Sequence, residues 1–222
     1  MNIIKQFLKA NQYVGKRNLL FPTNNIRQIV LHHTQGSTAD GAIEWWSINT
    51  AQVATNYIID KDGTVINTVP DNCWAWSLGI STKNNDIHEI FKNQRYARNI
   101  EQMGISIELV CEGELIKDSK GFLFEDGDRY IPESNVCILD KSHRGYKYYS
   151  KYTDAQILSL EKLLRVLSER HDINISGEHA IFDINYKALQ GEKGLYSHVC
   201  YRSCDKTDIF PQPELVTMLN RL

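Results

Sequence analysis

Residues 29–37 read IVLHHTQGS, an apolar run that ends in two adjacent histidines. Residues 29–31 are of the types that form buried β-strands, and burial alone gives no reason for imidazole rings at the end of such a strand. His32 and His33 are therefore either ordinary residues at a strand-to-loop boundary or the mark of a functional site. The rest of the sequence has to decide between these interpretations.

The composition is that of an ordinary globular protein. The chain has 222 residues, of which 42% are hydrophobic and 23% charged, and a net charge of −2. This balance argues against a nucleic-acid partner or a polybasic membrane anchor. Polar residues interrupt residues 1–18, and no stretch approaches the ~18 apolar residues of a membrane span, so we expect neither a signal peptide nor membrane insertion. We expect a monomer made in the cytoplasm. Its five scattered cysteines indicate free thiols.

The pattern of elements predicts an α/β fold, with one domain whose central mixed β-sheet is flanked by helices. Strands are predicted at residues 28–32 and 104–110, a β-hairpin turns at Gly63, and a short strand follows at 173–175. Helices are predicted after a cap at residues 37–40, from a Thr153/Gln156 capping box, and from Pro213. We assign residues 1–25 to an N-terminal extension, 26–222 to the domain, and 82–102 and 114–149 to surface insertions.

Three possible metal ligands lie at the ends of predicted elements: His32, His179 and Asp208. A catalytic zinc ion needs three protein ligands, which can come from distant loops of one sheet. Cys204 is an alternative third ligand, because a thiolate binds zinc well. Four further histidines carry no motif and are predicted to lie at the surface: His88, His143, His171 and His198. Each candidate ligand is weak evidence by itself.

Seven motifs occur in order along residues 26–219: IVLHHT, TNYIIDKDGTV, AWSLGIS, GISIELVCEG, YTDAQI, SGEHAIF and KTDIFP. In their order and spacing they resemble the zinc-dependent N-acetylmuramoyl-L-alanine amidase family, whose fold is shared with peptidoglycan recognition proteins. The sequence departs from the family pattern at Ser77, where a histidine is typical, and at Glu178, where a glycine is usual.

The resemblance implies a Zn²⁺ site at one end of the sheet, with His32, His179 and Asp208 as the ligands. It makes His33 a neighbour of the site rather than a ligand, and the KTD motif favours Asp208 over Cys204. Glu108 matches the catalytic base, and Lys206 matches a lysine that can stabilise a developing oxyanion.

The implied activity is hydrolysis of the amide bond between N-acetylmuramic acid and L-alanine, with peptidoglycan or a muropeptide as substrate. The resemblance suits a phage endolysin or an antibacterial wall-lytic enzyme that acts on the bacterial cell wall. Two alternatives stay open: a cytoplasmic recycling amidase for anhydro-muropeptides, and a recognition module without activity. The three implied ligands, the base and the lysine are all present in this sequence. This favours an enzyme, because recognition modules usually lack at least one of these residues.

Overall fold

A computed structural model describes residues 2–9, 26–49, 51–80, 88–124, 129–176, 180–202 and 205–222. Its strands are β1 (Ile3–Lys5), β2 (Gln28–His33), β3 (Tyr57–Ile59), β4 (Val65–Asn67), β5 (Gly104–Leu109), β6 (Glu114–Lys117), β7 (Phe122–Phe124), β8 (Tyr130–Ile131), β9 (Val136–His143), β10 (Tyr146–Ser150) and β11 (Gly194–Ser197). Its α-helices are α1 (Ala39–Ile48), α2 (Gln94–Met103), α3 (Asp154–His171), α4 (Tyr186–Leu189) and α5 (Pro213–Leu219).

The larger sheet has six strands in the order β1-β4-β3-β5-β2-β11. Strand β2 runs parallel to both β5 and β11, β3 runs parallel to β5, and β3 and β4 form an antiparallel hairpin. Every residue of β2 is buried, as expected for a central strand covered on both faces. The prediction of a mixed sheet flanked by helices is confirmed.

The long helix α3 shows why the local signals in the sequence were reliable. Thr153 and Gln156 form the predicted capping box, in which each side chain accepts a backbone N–H from the other residue. The predicted apolar stripe of this helix is buried in the core, where each such side chain contributes about 1.5–3 kcal/mol. The predicted helix start at Pro213 and the positive φ of Gly63 are also observed.

A second sheet replaces the surface insertion predicted at residues 114–149. Its five strands are all antiparallel, in the order β8-β7-β6-β10-β9. Four of its side chains form a small apolar cluster of their own: Leu115, Phe122, Ile131 and Val136. The prediction of a surface insertion was wrong because one face of a short antiparallel strand is polar, which lowers the average hydrophobicity of the segment.

The prediction for residues 82–102 was wrong for the same reason. Residues 81–87 lie outside the described part of the chain, but a 3₁₀ turn at Glu89–Lys92 and helix α2 follow. Phe91, Ala97 and Ile100 are buried in the main core. This amphipathic helix is polar on its other face, so its composition resembles that of a loop.

Four smaller observations complete the description of the fold. Strand β1 joins the larger sheet beside β4, while residues 10–25 lie outside the described part, so the boundary at residue 25 stays a prediction. Residues 173–175 form no strand, whereas β11 was not predicted. The free thiols are confirmed and buried at Cys73, Cys111, Cys137 and Cys200. Among the described helices, none has the length and apolar character to cross a membrane.

Candidate active site

Three possible metal ligands meet at one edge of the larger sheet. His32 lies near the end of β2, and His198 directly follows β11. These strands are parallel neighbours in which Ser197 pairs with Leu31, so the next residue of each strand brings the two imidazoles side by side. Asp208 comes from the loop that follows, and all three side chains are buried.

The distances within this cluster suit a metal ion. His32 Nδ1 lies 3.1 Å from His198 Nδ1 and 3.3 Å from Asp208 Oδ2, and His198 Nδ1 lies 3.0 Å from Asp208 Oδ2. Ligand atoms of a tetrahedral zinc ion, bound at about 2.0–2.1 Å, are roughly 3.3 Å apart. Two nitrogen atoms and one carboxylate oxygen are also a usual donor set for catalytic zinc. The residues present therefore fit a zinc ion.

The protonation states of the cluster favour metal binding. Burial lowers the pKa of His32 to about 4, so its imidazole is neutral at pH 7. Burial alone would raise the pKa of Asp208, but the adjacent His198 and His32 hold that pKa well below its usual range. A neutral imidazole and an ionised carboxylate are the forms that bind zinc.

A backbone carbonyl sets the tautomer of His198. The Nε2 atom of His198 lies 3.0 Å from the carbonyl oxygen of Leu78. A carbonyl can only accept a hydrogen bond, so Nε2 carries the proton and the lone pair of Nδ1 points towards the cluster. This arrangement is typical of metal-binding histidines, whose second ring nitrogen donates to an acceptor.

Glu108 lies beside His32 in the sheet. The two residues are direct partners in the parallel pairing of β5 with β2, so their side chains project from the same face. The Oε2 atom of Glu108 is buried and has no hydrogen-bond partner among the residues that the structure describes. Burial raises the pKa of Glu108 well above its usual value, and the nearby Asp208 raises it further. A carboxylate with a raised pKa suits proton transfer near neutral pH.

A cleft of about 540 Å³ opens over these residues and is large enough for a sizeable ligand. Lys206 and Trp45 line it together with the cluster and Glu108. Trp45, on α1, is 51% exposed and offers an indole face for stacking. A second cavity of about 380 Å³ shares Ser77, His198 and Lys206 with this cleft.

The chain matches a family model described as N-acetylmuramoyl-L-alanine amidase over residues 22–208. It belongs to that family. The activity of this enzyme is therefore that of an N-acetylmuramoyl-L-alanine amidase acting on peptidoglycan. Among curated proteins, none matches the chain.

Several solved structures are similar to this amidase at low sequence identity, and the first of those named here shares its fold. Staphylococcus aureus hydrolase AmiA, in complex with its ligand, has a TM-score of 0.53 at 13% identity, covering 99% of this chain and 82% of that one. A selenomethionine derivative of AmpD has a TM-score of 0.49 at 16% identity, covering 98% and 92%. PlyL has a TM-score of 0.47 at 16% identity, covering 90% and 83%.

The amidase brings four of the five predicted site residues to one cleft: His32, Glu108, Lys206 and Asp208. The fifth, His179, lies outside the described residues, as does the alternative ligand Cys204. The predicted role of His179 as a metal ligand therefore stays untested.

His198 is the residue that the sequence analysis missed. The prediction that it lies at the surface was wrong, because the residue is only 6% exposed and belongs to the cluster. The same prediction was wrong for His143, which is 8% exposed. A signal did exist: residues 194–198 read GLYSH, a short strand-forming run that ends in histidine as IVLHH does, shortly before Asp208.

His33 lines the same cleft as the cluster, but its ring contacts residues of the core. Its Nδ1 atom lies 2.9 Å from the hydroxyl of Tyr152, and its ring lies against Phe210. Burial lowers the pKa of His33 to about 4. These contacts agree with the interpretation of His33 as a packing residue.

Proposed function

We propose that the amidase is a zinc-dependent, wall-lytic enzyme that cleaves the amide bond between N-acetylmuramic acid and L-alanine in polymeric peptidoglycan. The observation that carries this proposal is the convergence of His32, His198 and Asp208, with mutual distances of 3.0–3.3 Å. Beside them lies Glu108, whose buried Oε2 accepts no hydrogen bond from any residue that the structure describes. The proposal assigns the second imidazole to His198, and the prediction for His179 is tested against it below.

A bound zinc ion supplies a Lewis acid that polarises a carbonyl group and acidifies water. The residues of the chain provide the rest of the reaction. Glu108 takes the proton of the attacking water and delivers it to the leaving nitrogen, because no described residue competes for its Oε2. Lys206, two residues before Asp208 in the wall of the cleft, stabilises negative charge on the carbonyl oxygen.

The lytic role is supported by the shape of the site. The cluster lies at the base of a cleft rather than in a closed cavity, and the half-exposed indole of Trp45 at this cleft can stack on a sugar ring of a glycan strand. The complete residue set supports catalysis rather than binding alone. Peptidoglycan of the cell wall is then the partner of the enzyme.

Mass spectrometry of products from intact sacculi and from soluble anhydro-muropeptides, with elemental analysis of the purified enzyme, tests this proposal. We expect about one zinc ion per chain, and release of stem peptides from sacculi at least as efficiently as from soluble muropeptides. Cleavage confined to the soluble substrate would make the protein a recycling amidase. Full activity without metal would overturn the zinc mechanism, and binding of sacculi without any cleavage would overturn catalysis.

A further inference from the structure

Glu101 is a buried carboxylate that lies outside the metal cluster. It belongs to helix α2, is only 2% exposed, and lines the second cavity beside the catalytic cleft. Its Oε2 atom accepts hydrogen bonds from the backbone N–H groups of Ser77 and Leu78, each at 3.2 Å. Within the described ranges of the chain, its Oε1 atom has no hydrogen-bond partner. Burying a carboxylate costs several kcal/mol, so this arrangement calls for a specific reason.

The loop that Glu101 holds reaches the metal cluster. Leu78, whose N–H donates to Glu101, uses its carbonyl oxygen to accept the hydrogen bond from His198 Nε2 at 3.0 Å. The Leu78 side chain is itself buried, and the next carbonyl, of Gly79, accepts a hydrogen bond from Arg202 at 2.8 Å. The Leu78 carbonyl that accepts from His198 is thus fixed by Glu101 before it in the chain and by Arg202 after it.

We propose that Glu101 is a positioning residue for the metal site. Its carboxylate fixes the backbone at residues 77–78, and the Leu78 carbonyl then keeps His198 in the tautomer and orientation that present Nδ1 to the metal. The inference rests on the proposed zinc function. Partners that orient a ligand histidine are typically worth 10–100-fold in metal affinity, roughly the loss expected here.

If Glu101 only stabilised the fold, its loss would lower the melting temperature without a specific effect on zinc affinity. Glu112 provides the matched comparison, because it is also a carboxylate with 2% exposure. Glu112 is held by Lys61 and Ser150, both at 2.6 Å, and by Arg129, none of which lines the catalytic cleft. Loss of Glu112 therefore costs stability without disturbing the acceptor of His198.

The test measures zinc affinity by chelator competition, with melting temperature recorded for every variant. We expect Glu101→Ala to bind zinc about 10–100-fold more weakly than the wild type. Glu101→Gln should stay within a few fold, because its amide oxygen can accept the same two N–H groups. Glu112→Ala should melt earlier but bind zinc as the wild type does. Wild-type affinity in Glu101→Ala, or an equal loss in Glu112→Ala, would overturn the inference.

A second measurement covers the case in which Glu101→Ala does not fold. In nitrogen-15 NMR spectra of the metal-free protein, we expect a protonated Nε2 on His198 that exchanges slowly with water. In Glu101→Asp, whose side chain is one methylene shorter, that N–H should exchange faster and the two tautomers should mix. An unchanged His198 signal in Glu101→Asp would contradict the inference. A wild type that shows this signal but binds no zinc would refute the proposed function and leave the positioning role standing.

Discussion

In the six-stranded sheet, β2, β5 and β11 run parallel and end side by side, and each ends at or next to a residue of the site. In the five-stranded sheet every pairing is antiparallel, so successive strands end at opposite edges. Functional side chains collect at the carboxyl edge of the first sheet because its parallel strands share that edge. The second sheet has no such shared edge, and none of its described residues belongs to the metal cluster.

The second sheet nevertheless reaches the site through its first residue. Glu114, at the start of β6, accepts hydrogen bonds from Gln35 at 3.1 Å and from Thr207 at 2.8 Å. Gln35 follows β2, and Thr207 lies between Lys206 and Asp208. Glu114 thereby ties together two loops of the catalytic cleft. The larger sheet thus supplies the residues of the candidate site, while hydrogen bonds from the smaller sheet hold the loops that carry two of them.

The largest expected effect belongs to the metal cluster. His198→Ala should lose its zinc ion, and its activity should fall to the uncatalysed background, because one of three ligands is gone. His179→Ala should keep both metal and activity. Metal analysis and peptidoglycan turnover of this pair decide between the two histidines. Loss of zinc in His179→Ala, with zinc retained in His198→Ala, would show that the assignment made from the sequence was right.

The second-largest effect on turnover is expected from a change of Glu108, the predicted catalytic base. Glu108→Gln keeps the shape of the side chain but cannot accept a proton, so turnover should fall by about 10²–10⁴-fold. Zinc content and melting temperature should match the wild type, which separates chemistry from folding. If turnover stays within a few fold of the wild type, another group handles the proton, and Glu108 is only a strand-face carboxylate.

A smaller effect is expected from the loss of Glu114, which holds the two loops of the catalytic cleft together. Glu114→Ala removes both hydrogen bonds to the catalytic loops, and turnover should fall about tenfold as the loops shift. Leu115→Ala is the matched control on the same strand, because its side chain is buried in the second sheet's apolar cluster. It should lower the free energy of unfolding by about 2–5 kcal/mol and leave the turnover of folded enzyme unchanged. Equal turnover losses in the two variants would contradict a specific role of Glu114 in holding the catalytic loops.

The smallest effect concerns the junction of the two sheets at Glu112. Burial raises the pKa of this carboxyl group, but hydrogen bonds from Lys61 and Ser150 outweigh burial and leave the pKa below its usual value. A depressed carboxyl pKa stabilises the fold above the unfolded pKa, and that contribution is lost as the pH falls through the folded pKa. Glu112→Gln should therefore be about 1–3 kcal/mol less stable at pH 7. Denaturant titrations should show the difference shrinking below about pH 4, and a constant difference would exclude the linkage.

Local signals explain which elements could be predicted. A capping box, a helical apolar stripe and a glycine with positive φ each act within a few residues, so α3 and the β3–β4 hairpin follow directly from the sequence. The family motifs identified His32, Glu108, Lys206 and Asp208 as members of one site. Helix α2 and the second sheet escaped prediction because their polar faces masked their buried residues.

The sequence by itself determined the family, the α/β class, the main helices and the chemistry of a histidine and carboxylate site. Only the tertiary structure placed His198 beside His32. Strand β11 has four residues, and its burial comes from pairing with β2, which lies far away in the sequence. Sheet pairing of this kind depends on contacts between distant segments, which no local pattern encodes. The place of His198 beside His32 therefore became visible only when the two strands were seen together.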